Sequence, residues 1–318
     1  MKIVVLDGYS VNPGDLSWEG FKALGELVVH ARTSPEEVLL HAAGAEAVLT
    51  NKTRLNREII RKLTALRYIG VLATGHDHVN VQDAEKRGIV VTHVPDYATA
   101  SAAQHVFAMI LERTNHVSAH AHSVFKGRWI KSPDPTYWIH PIQELEGLTL
   151  GILGLGRIGS RVARLARAFG MNVMAHTDAP PSAPPAGIEL VSLDALFSRS
   201  DILTLHCPLT PLTERIVNAP RLALMKPTAM LVNTARGDLV DEEALAGALN
   251  GKRLGCALLD VLAKEPPDRK NPLLSAHNCW ITPHQAWASR AARSRLLAVA
   301  LENLRAYLAG KPINIVRK

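Results

Sequence analysis

Residues 149–159 read TLGILGLGRIG, and this stretch decides the fold. An apolar run leads into three glycines in the spacing G-x-G-x-x-G and then into a helical pattern that continues to Phe169. Gly154 permits a tight turn, Gly156 lets the backbone approach a pyrophosphate, and Gly159 lets the helix pack closely on the strand. The helix would present its N-terminal N–H groups to the phosphates. The stretch therefore predicts a dinucleotide-binding unit.

Short apolar runs alternate with helical patterns along almost the whole chain, and this alternation is typical of an α/β fold with parallel sheets. The runs are apolar throughout because helices cover both faces of such a sheet. The predicted strands are Ile3–Leu6, Ala47–Leu49, Tyr68–Val71, Val90–Val91, Thr149–Leu153, Asn172–Ala175, Ile202–Leu205, Met230–Asn233, Gly255–Leu259 and Cys279–Thr282. The predicted helices include Leu55–Leu63, Gly159–Phe169, a long helix from about Ser101 to Phe125, and a C-terminal helix from Ser289 to about Leu308.

The length of 318 residues fits two domains at about 150 residues each. One boundary is predicted before the long helix, and the other where the last strand ends and the C-terminal helix follows. The first domain comprises residues 1–98 and is completed by residues 287–318. The second comprises residues 99–286. The first domain is thus predicted to be discontinuous in sequence.

The composition argues against several classes of protein. Apolar residues make up 47% and charged residues 20%, as in soluble globular proteins, and no apolar stretch is long enough to span a membrane. The apolar run at the N-terminus is too short for a signal peptide. Cys207, Cys256 and Cys279 lie far apart, which predicts neither a disulfide framework nor a zinc site and fits a reducing cytoplasm. The net charge of +7 is scattered and aromatic residues are 5%, so we expect no nucleic-acid partner.

The strand after the glycines, Asn172–Ala175, should end near the residue that meets the adenosine ribose. A carboxylate about twenty residues past the glycines binds the ribose 2′-hydroxyl and repels a 2′-phosphate. The sequence reads Thr177 and then Asp178, so the acid is present but stands one position late. We expect NAD as the cofactor, with NADP as the alternative.

Further motifs follow in order along nearly the whole chain. They are VLATGHDHV at 71–79, HCPLT at 206–210, VNTARG at 232–237, LDV at 259–261, EP at 265–266 and TPHQA at 282–286. With the glycine motif, they make the chain resemble the D-isomer-specific 2-hydroxyacid dehydrogenase family. Three segments are similar to the glycerate dehydrogenase and hydroxypyruvate reductase branch of that family: AQH at 103–105, SPD at 132–134 and YW at 137–138.

The resemblance implies two Rossmann-like domains with parallel sheets. Residues 1–98 and 287–318 would form a flavodoxin-like substrate domain, residues 99–286 a dinucleotide-binding domain, and the intervening cleft would hold the substrate. The implied activity is NAD(P)H-dependent reduction of a small 2-keto acid such as hydroxypyruvate or glyoxylate. The implied assembly is a homodimer without nucleic-acid or membrane partners. Trp138 lies in the segment that, in related dimers, reaches into the partner's active site.

Three residues carry the chemistry that the resemblance implies. Reduction of a 2-keto acid needs a cation for its oxygens and an acid that protonates the forming alkoxide. Arg236 follows an apolar strand and is a planar, permanently charged donor. His284 follows another apolar strand, and an imidazole can give a proton near neutral pH. Glu265 would hydrogen-bond this ring and favour its protonated form. By similarity, these three residues form the catalytic set.

The resemblance also assigns binding residues. Thr74, Gly75 and His76 are expected to bind the substrate carboxylate through backbone N–H groups, together with the Arg236 side chain. The expected cofactor contacts are Gly154, Gly156, Arg157, Ile158 and Gly159 at the pyrophosphate, Thr177 and Asp178 at the ribose, Cys207 and Pro208 near the adenine, Thr234, Ala235 and Asp260 around the nicotinamide, and Ala286. Asp260 is expected to contact the nicotinamide carboxamide.

Two positions depart from the family pattern. Thr177 stands where NAD-preferring relatives have aspartate, and His76–His78 stands where relatives often have a Tyr/Phe-Asp/Asn-Asn run. Two other functions stay open: an NADH-binding, co-repressor-like sensor without turnover, and a formate- or phosphite-type dehydrogenase. His116 and His120 are four apart on a predicted helix, but no acidic residue lies between them, and we predict no metal site.

Overall fold

The structure is a computed structural model, and it describes residues 1–178 and 186–317. The chain folds as two compact units. One comprises Met1–Ala98 and Trp287–Lys318, and the other comprises Thr99–Ala286. Each contains a parallel sheet with helices packed on it, which confirms the predicted α/β class. No helix of the described residues is long and apolar enough to cross a membrane.

The first unit is built on a parallel sheet with five strands among the described residues. Its strands are β1 (Lys2–Val5), β2 (Glu26–Val29), β3 (Ala47–Thr50), β4 (Tyr68–Val71) and β5 (Val90–Thr92). Its helices are α1 (Gly8–Val11), α2 (Glu19–Lys22), α3 (Val38–His41), α4 (Arg57–Lys62), α5 (Val81–Lys86) and the C-terminal helix α12 (Arg290–Leu308). The strand order is β2-β1-β3-β4-β5.

Both faces of this sheet are covered, which explains why its central strands are apolar at every position except Lys2 and Thr50. On one face, Leu49 of β3 is in a cluster with Leu296 of α12. On the other face, Val48 of β3 is in a cluster with Ile60 of α4. The C-terminal helix therefore completes the core of the first unit, because without it one face of the sheet would lose its cover.

The second unit is built on a parallel sheet with seven strands among the described residues. Its strands are β6 (Thr149–Leu153), β7 (Asn172–His176), β8 (Glu189–Leu190), β9 (Ile202–Leu205), β10 (Met230–Asn233), β11 (Cys256–Leu259) and β12 (Cys279–Ile281). Its helices are α6 (Thr99–Asn115), α7 (Val117–Phe125), α8 (Arg157–Ala168), α9 (Leu193–Arg199), α10 (Ala219–Leu222) and α11 (Glu242–Asn250), with 3₁₀ helices at Gly237–Leu239 and Pro272–Ser275. The strand order is β12-β11-β10-β9-β6-β7-β8.

The carboxyl ends of the strands in this second sheet lie in register. The paired residues form one row across the sheet: His176, Leu153, Leu205, Asn233, Leu259 and Ile281. Because the strands are parallel and end together, the residues that follow them emerge along one edge. In such sheets, ligands bind at this edge, where the strand order changes direction. Here that point lies between β6 and β9.

Two details differ from the sequence expectations. The single long helix predicted over residues 101–125 is wrong, because α6 ends at Asn115 and α7 begins at Val117. His116 between them has φ 51°, a left-handed conformation that an α-helix cannot contain, and its ring lies 4.7 Å from the His140 ring.

The sequence analysis also does not predict β2 and β8. β2 is one of the two edge strands of its sheet; it reads ELVV, and its residues are exposed or only partly buried. β8 has two residues and lies at the other sheet's edge. An edge strand buries less apolar surface than a central one, so its sequence carries a weaker signal.

Candidate active site

Most of the predicted site residues of the second unit lie along one sheet edge. Each follows the carboxyl end of a different strand: Gly154 after β6, Thr177 after β7, Cys207 after β9, Thr234 after β10, Asp260 after β11 and His284 after β12. Strands apart in sequence thus bring these side chains together. Glu265 joins them from the segment after β11.

Two glycines, one in the turn between β6 and α8 and one in the first turn of α8, are required by the protein's own packing. Gly154 has φ 95°, and a Cβ on it would lie 2.5 Å from the backbone nitrogen of Cys207. A Cβ on Gly159 would collide with the carbonyl oxygen of Gly154 and lie 3.2 Å from Ile152 Cγ2. The turn therefore packs tightly on the segment after β9, and α8 packs tightly on β6.

Gly156 is different, because no contact among the described residues explains it. A Cβ there would have no described atom within 4 Å, and its φ of −76° is open to any residue. Gly156 is the N-cap of α8 and supplies no side chain to cap the first N–H groups of this helix. A glycine that the packing does not need, at the exposed start of a 12-residue helix, fits a pyrophosphate that approaches the backbone. Arg157 and Ile158 begin this helix beside it.

The expected ribose contacts follow β7 directly. β7 ends at His176, Thr177 is partly buried, and the Asp178 side chain is 79% exposed. Asp178 Oδ1 lies 3.8 Å from Nε2 of His176, and Nδ1 of His176 contacts the Val191 carbonyl oxygen at 3.0 Å. An uncharged residue therefore stands at the strand end, and the carboxylate lies one residue further into solvent.

The segment after β9 offers neutral groups beside the glycine turn. Burial raises the pKa of the Cys207 thiol to about 11, so this side chain is uncharged at neutral pH. Burial lowers the pKa of the neighbouring His206 to about 4, and its Nε2 contacts Thr204 Oγ1 at 3.0 Å. Pro208 is exposed. Uncharged walls of this kind suit an aromatic ring of a ligand.

A buried asparagine shapes the turn after β10. Asn233 is 1% exposed; its Oδ1 accepts from the Ala235 N–H at 3.0 Å, and its Nδ2 donates to the Arg236 carbonyl oxygen at 2.8 Å. Arg236 Nη1 donates to the Ala235 carbonyl oxygen at 2.8 Å. A Cβ on Gly237 would collide with the backbone of Leu262, so the turn also packs against the segment after β11. Asparagine turns of this kind fix a backbone locally, and this one fixes the backbone of Arg236.

Thr234 lies within the same turn, and its Oγ1 is buried with no hydrogen-bond partner among the described residues. A buried polar group left unpaired costs about 1–3 kcal/mol. A ligand with a polar group at this place would satisfy it. The unneeded glycine at 156 and the unpaired hydroxyl of Thr234 lie after strands of the same sheet edge, and both fit a bound dinucleotide.

The buried carboxylate of Asp260 holds the turn after β12. Oδ1 accepts from the Thr282 hydroxyl at 2.6 Å and from the Gln285 N–H at 2.9 Å, and Oδ2 accepts from the Ala286 N–H at 2.8 Å. The Asp260 carbonyl oxygen accepts from the His284 N–H at 2.8 Å. Burial alone would raise the pKa of Asp260, but hydrogen bonds from surrounding side chains and backbone N–H groups lower it below its usual value. The side chain is 0% exposed, and its predicted contact with a carboxamide stays a prediction.

His284 lies in the turn that Asp260 holds. Its φ of 52° is left-handed, which is uncommon for a residue other than glycine. His284 Nδ1 lies 2.5 Å from Glu265 Oε2, and Glu265 Oε1 accepts from the Leu262 N–H at 3.1 Å. This confirms the predicted contact between His284 and Glu265, while their catalytic roles stay a prediction. Because Nδ1 faces Glu265, Nε2 is the ring nitrogen that can meet a substrate.

The predicted substrate residues Thr74, Gly75 and His76 lie in the first unit, after the carboxyl end of β4. Thr74 Oγ1 donates to the Val94 carbonyl oxygen at 2.8 Å. Nδ1 of His76 is buried and has no partner among the described residues. The contact of this segment with a substrate carboxylate stays a prediction.

Trp138 and the histidines of α6 and α7 lie in the second unit. Trp138 stands between α7 and β6 and is 69% exposed. His120 uses both ring nitrogens within the chain: Nε2 accepts from the Ile139 N–H at 3.0 Å, and Nδ1 contacts the His116 carbonyl oxygen at 2.8 Å. In the described part of the chain, no group of three or more His, Cys, Asp or Glu side chains could hold a metal ion.

Three further residues support the site, and the sequence analysis assigns a role to none of them. Asn233 shapes the turn of Arg236, and Thr282 donates to Asp260. Nε2 of His105, on α6, lies 3.1 Å from Thr282 Oγ1 and 3.5 Å from Asp260 Oδ1. Asn233 and Thr282 carry one usable signal, a polar residue at the end of an apolar strand. His105 lies in the AQH segment at 103–105, but this segment does not indicate a contact with Thr282, because only the tertiary fold brings α6 to β12.

Comparisons with known proteins find relatives along the whole chain. A sequence model described as D-isomer specific 2-hydroxyacid dehydrogenase, NAD binding domain, matches residues 107–286. The chain is 46% identical over 323 residues to a hydroxypyruvate reductase of Blautia hydrogenotrophica, with 100% of each chain covered. It is 38% identical to a glycerate dehydrogenase of Methylorubrum extorquens, with 99% of this chain and 98% of the relative covered.

A solved structure extends the similarity to the whole fold. It is that of an NADPH-dependent glyoxylate/hydroxypyruvate reductase from Sinorhizobium meliloti in complex with NADP and malonate. The TM-score is 0.83 at 29% identity, and the match covers 99% of this chain and 96% of that chain.

Proposed function

This chain belongs to the D-isomer specific 2-hydroxyacid dehydrogenase family, and we propose that it reduces hydroxypyruvate or glyoxylate to the corresponding 2-hydroxy acid. It is an NAD(P)-dependent oxidoreductase of small 2-keto and 2-hydroxy acids. Similarity over the full length to a hydroxypyruvate reductase supports the choice of these substrates. The observation that carries the mechanism is the contact of 2.5 Å between His284 Nδ1 and Glu265 Oε2.

We propose that His284 is the acid that protonates the substrate oxygen. The Glu265 carboxylate faces Nδ1, so it stabilises the imidazolium and leaves the proton on Nε2 for the reaction. As the carbonyl π electrons move to oxygen, this proton completes a hydroxyl group, and His284 becomes neutral. In the reverse direction, Nε2 takes the proton from the hydroxyl group of the 2-hydroxy acid.

Arg236 is the proposed cation of the site. A guanidinium can donate to the carboxylate and to the carbonyl oxygen of a 2-keto acid at once, which orients the substrate and polarises its C=O bond. The hydrogen bonds of Asn233 support this role because they hold the backbone from which Arg236 projects. Backbone N–H groups at Thr74, Gly75 and His76 are the proposed further donors to the carboxylate.

The proposed cofactor site follows the same sheet edge. When bound, the reduced nicotinamide supplies the hydride for the carbonyl carbon. Residues 154–159 would hold the pyrophosphate, Cys207 and Pro208 the adenine, and the turn at Thr234 and Ala235 the nicotinamide end. We propose NADH as the preferred form, because the Asp178 carboxylate would repel a 2′-phosphate. Since the residue at the strand end is the uncharged Thr177, we expect NADPH to be used as well, with a lower kcat/KM.

We also propose that the protein is a cytoplasmic homodimer. The segment from α7 to β6 exposes large apolar side chains, among them Phe125 at 83%, Ile130 at 91% and Trp138 at 69%. Exposed apolar side chains gathered in one segment are typical of an interaction surface. Sedimentation of the purified protein should give twice the mass of one chain, and a single-chain mass would contradict the proposal.

The direct test of the function is the absorbance of the reduced nicotinamide. Purified protein is mixed with hydroxypyruvate or glyoxylate, with NADH and NADPH in parallel reactions. We expect oxidation of both cofactors and faster oxidation of NADH. If neither keto acid causes oxidation of NADH or NADPH, although NADH binds, the proposed substrates are wrong. If the protein also turns over no other 2-keto acid, no formate and no phosphite, the remaining hypothesis is an NADH-binding sensor without catalysis.

A further inference from the structure

Helix α6 reaches the turn of His284 with two side chains that lie one helical turn apart. Ser101 Oγ donates to the Ala286 carbonyl oxygen at 2.7 Å, and Nε2 of His105 lies 3.1 Å from Thr282 Oγ1. Residues four apart lie on the same face of a helix. One face of α6 therefore contacts both ends of the turn 282–286, and His284 lies in the middle of this turn.

The hydrogen bonds around Thr282 have only one consistent direction. Thr282 Oγ1 lies 2.6 Å from Asp260 Oδ1, and an ionised carboxylate can only accept. The one hydroxyl proton of Thr282 is therefore given to Asp260. The contact between Thr282 Oγ1 and His105 must then be donated by His105, which places a proton on Nε2 of that ring. The shorter path of this hydrogen-bonded chain runs from His105 Nε2–H to the Thr282 hydroxyl and from there to Asp260, and the same Nε2 also lies 3.5 Å from Asp260 Oδ1.

This chain bears on catalysis because the backbone of His284 is strained. A residue other than glycine stays at a φ of 52° only when its surroundings hold it there. Asp260 supplies that hold with its carbonyl oxygen on the His284 N–H and its carboxylate on the N–H groups of Gln285 and Ala286. The Thr282 hydroxyl donates to this carboxylate, and the N–H group of His105 orients that hydroxyl. Hydrogen bonds to a charged acceptor and along such a chain strengthen one another.

We propose that His105 is a positioning residue for His284: through Thr282 and Asp260, it fixes the turn that directs His284 Nε2 to the substrate oxygen. The proposal rests on the proposed role of His284 as the acid. His105 itself, with 17% of its side chain exposed, acts on the protein and not on the substrate.

Two substitutions separate the hydrogen bond of His105 from its bulk. His105→Leu keeps the volume and removes the donor, whereas His105→Gln keeps an N–H donor of similar reach. With hydroxypyruvate and NADH, we expect kcat of His105→Leu to fall about tenfold to a hundredfold, because small errors in the position of a catalytic group are costly. His105→Gln should recover most of this loss. The Kd for NADH should be unchanged in both. Gln104→Leu, on the exposed face of the same helix, is the matched control and should have wild-type kcat.

Double variants test the path of the effect. Thr282→Val removes the intermediate hydroxyl and should lower kcat as much as His105→Leu does. Combining the two should cost no more than either alone, since both interrupt the same chain. In a His284→Ala background, His105→Leu should have no further effect on kcat, because the group that it positions is gone.

Several results would overturn the proposal. Wild-type kcat in His105→Leu would do so, and so would a His105→Gln variant as slow as His105→Leu. Additive losses with Thr282→Val would place His105 outside this chain. A rise in the Kd for NADH and a fall in Tm that account for the lost kcat would make its role purely structural.

Measuring the wild type in the same assay distinguishes a failure of the proposed substrates from a failure of the positioning proposal. If it reduces neither hydroxypyruvate nor glyoxylate, those substrates are wrong, and the same ratios of kcat are measured with the 2-keto acid that it does reduce. Full activity of His284→Ala would contradict the acid role itself, and with it the proposed positioning.

Discussion

Single residues decide which atoms of this site can react, because their partners leave only one choice. Glu265 faces Nδ1 of His284, so Nε2 is the ring nitrogen left for the proposed proton transfer. Thr282 gives its one proton to Asp260, so His105 must donate to it. Charge and proton positions thus follow from a few short contacts in the second unit.

The glycine turn offers a matched pair of substitutions at the same scale. Gly156→Ala should lower the free energy of unfolding by less than about 1 kcal/mol, because a Cβ there meets no described atom within 4 Å and only the poorer N-cap counts against it. It should raise the Kd for NADH about tenfold or more, since that Cβ would stand where the pyrophosphate approaches. Chemical denaturation and NADH fluorescence titration measure the two quantities.

Gly159→Ala is the contrasting variant. Its Cβ would collide with the Gly154 carbonyl oxygen, so we expect a loss of about 1–3 kcal/mol in the free energy of unfolding. If Gly156→Ala binds NADH like the wild type, Gly156 does not face the cofactor. If Gly156→Ala loses as much free energy of unfolding as Gly159→Ala does, a Cβ at position 156 does not lie in open space.

The sequence predicts single residues well where a motif names them and poorly where only tertiary contacts matter. The contact of Glu265 with His284 is confirmed. Gly154 and Gly159 have the steric reasons that the glycine spacing implies. The contact of His105 with Thr282 joins residues 177 positions apart, and no local pattern announces it.

At the scale of elements, the turns after the strands hold the site, and the strands align them. The turn after β10 depends on Asn233, which serves both Ala235 and Arg236. The turn after β12 depends on Asp260, at the end of the neighbouring strand β11. Arg236 and His284 thus lie in turns that two buried polar residues, Asn233 and Asp260, hold in place.

Asn233→Ala should therefore impair both stability and catalysis. It leaves the Ala235 N–H and the Arg236 carbonyl oxygen without their partner, and we expect a loss of about 1–3 kcal/mol in the free energy of unfolding. The kcat/KM for the keto acid should fall about tenfold or more, because Arg236 loses its fixed backbone. Asn233→Asp keeps the acceptor for Ala235 but places a carboxylate oxygen against the Arg236 carbonyl oxygen in a buried site, so it should lose at least as much of both. Steady-state kinetics and denaturation measure these changes, and an Asn233→Ala variant with wild-type kcat/KM would contradict the role of this turn.

The strands themselves are predicted well because apolar runs bounded by turn residues are a strong local signal. β4, β6, β9 and β10 begin and end at the predicted residues. The break between α6 and α7 is not predicted, because nothing in the apolar pattern marks the left-handed backbone of His116. The edge strands β2 and β8 are not predicted from the sequence, because their side chains bury little apolar surface.

At the scale of the whole molecule, two partly buried histidines link stability to pH. Burial lowers the pKa of His206 and of His78 to about 4, whereas an unfolded histidine has a pKa of about 6.5. Between these values the unfolded chain binds more protons, so stability rises with pH through this window. The contribution is fully present above about pH 6.5 and is lost as the pH falls to about 4.

Substitution of one of these histidines should make the protein less sensitive to acid. On going from about pH 7 to about pH 5, His206→Gln should lose about 2 kcal/mol less free energy of unfolding than the wild type. Urea denaturation at the two pH values measures this difference. His277→Gln replaces an exposed histidine and should keep the wild-type sensitivity. Equal sensitivity in His206→Gln and the wild type would show that His206 is not held neutral by burial.

The fold class and the family follow from the sequence alone, because strand alternation, the glycine turn and the order of motifs all point the same way. The hydrogen bonds that hold the turns of the site cannot be predicted from the sequence alone, because they depend on which strands become neighbours. β11 and β12 are neighbours in the sheet, and this brings Asp260 to the turn of His284. Only the three-dimensional arrangement of the second unit reveals that contact.

The central claim is that His284 is the acid of a 2-keto acid reductase, and one comparison tests it most directly. NADH oxidation with hydroxypyruvate is measured for the wild type and for His284→Ala, together with the Kd of each for NADH. We predict that kcat falls about a hundredfold to ten-thousandfold, the range for loss of a general acid, while the Kd stays the same. Equal turnover by the wild type and His284→Ala would contradict the account.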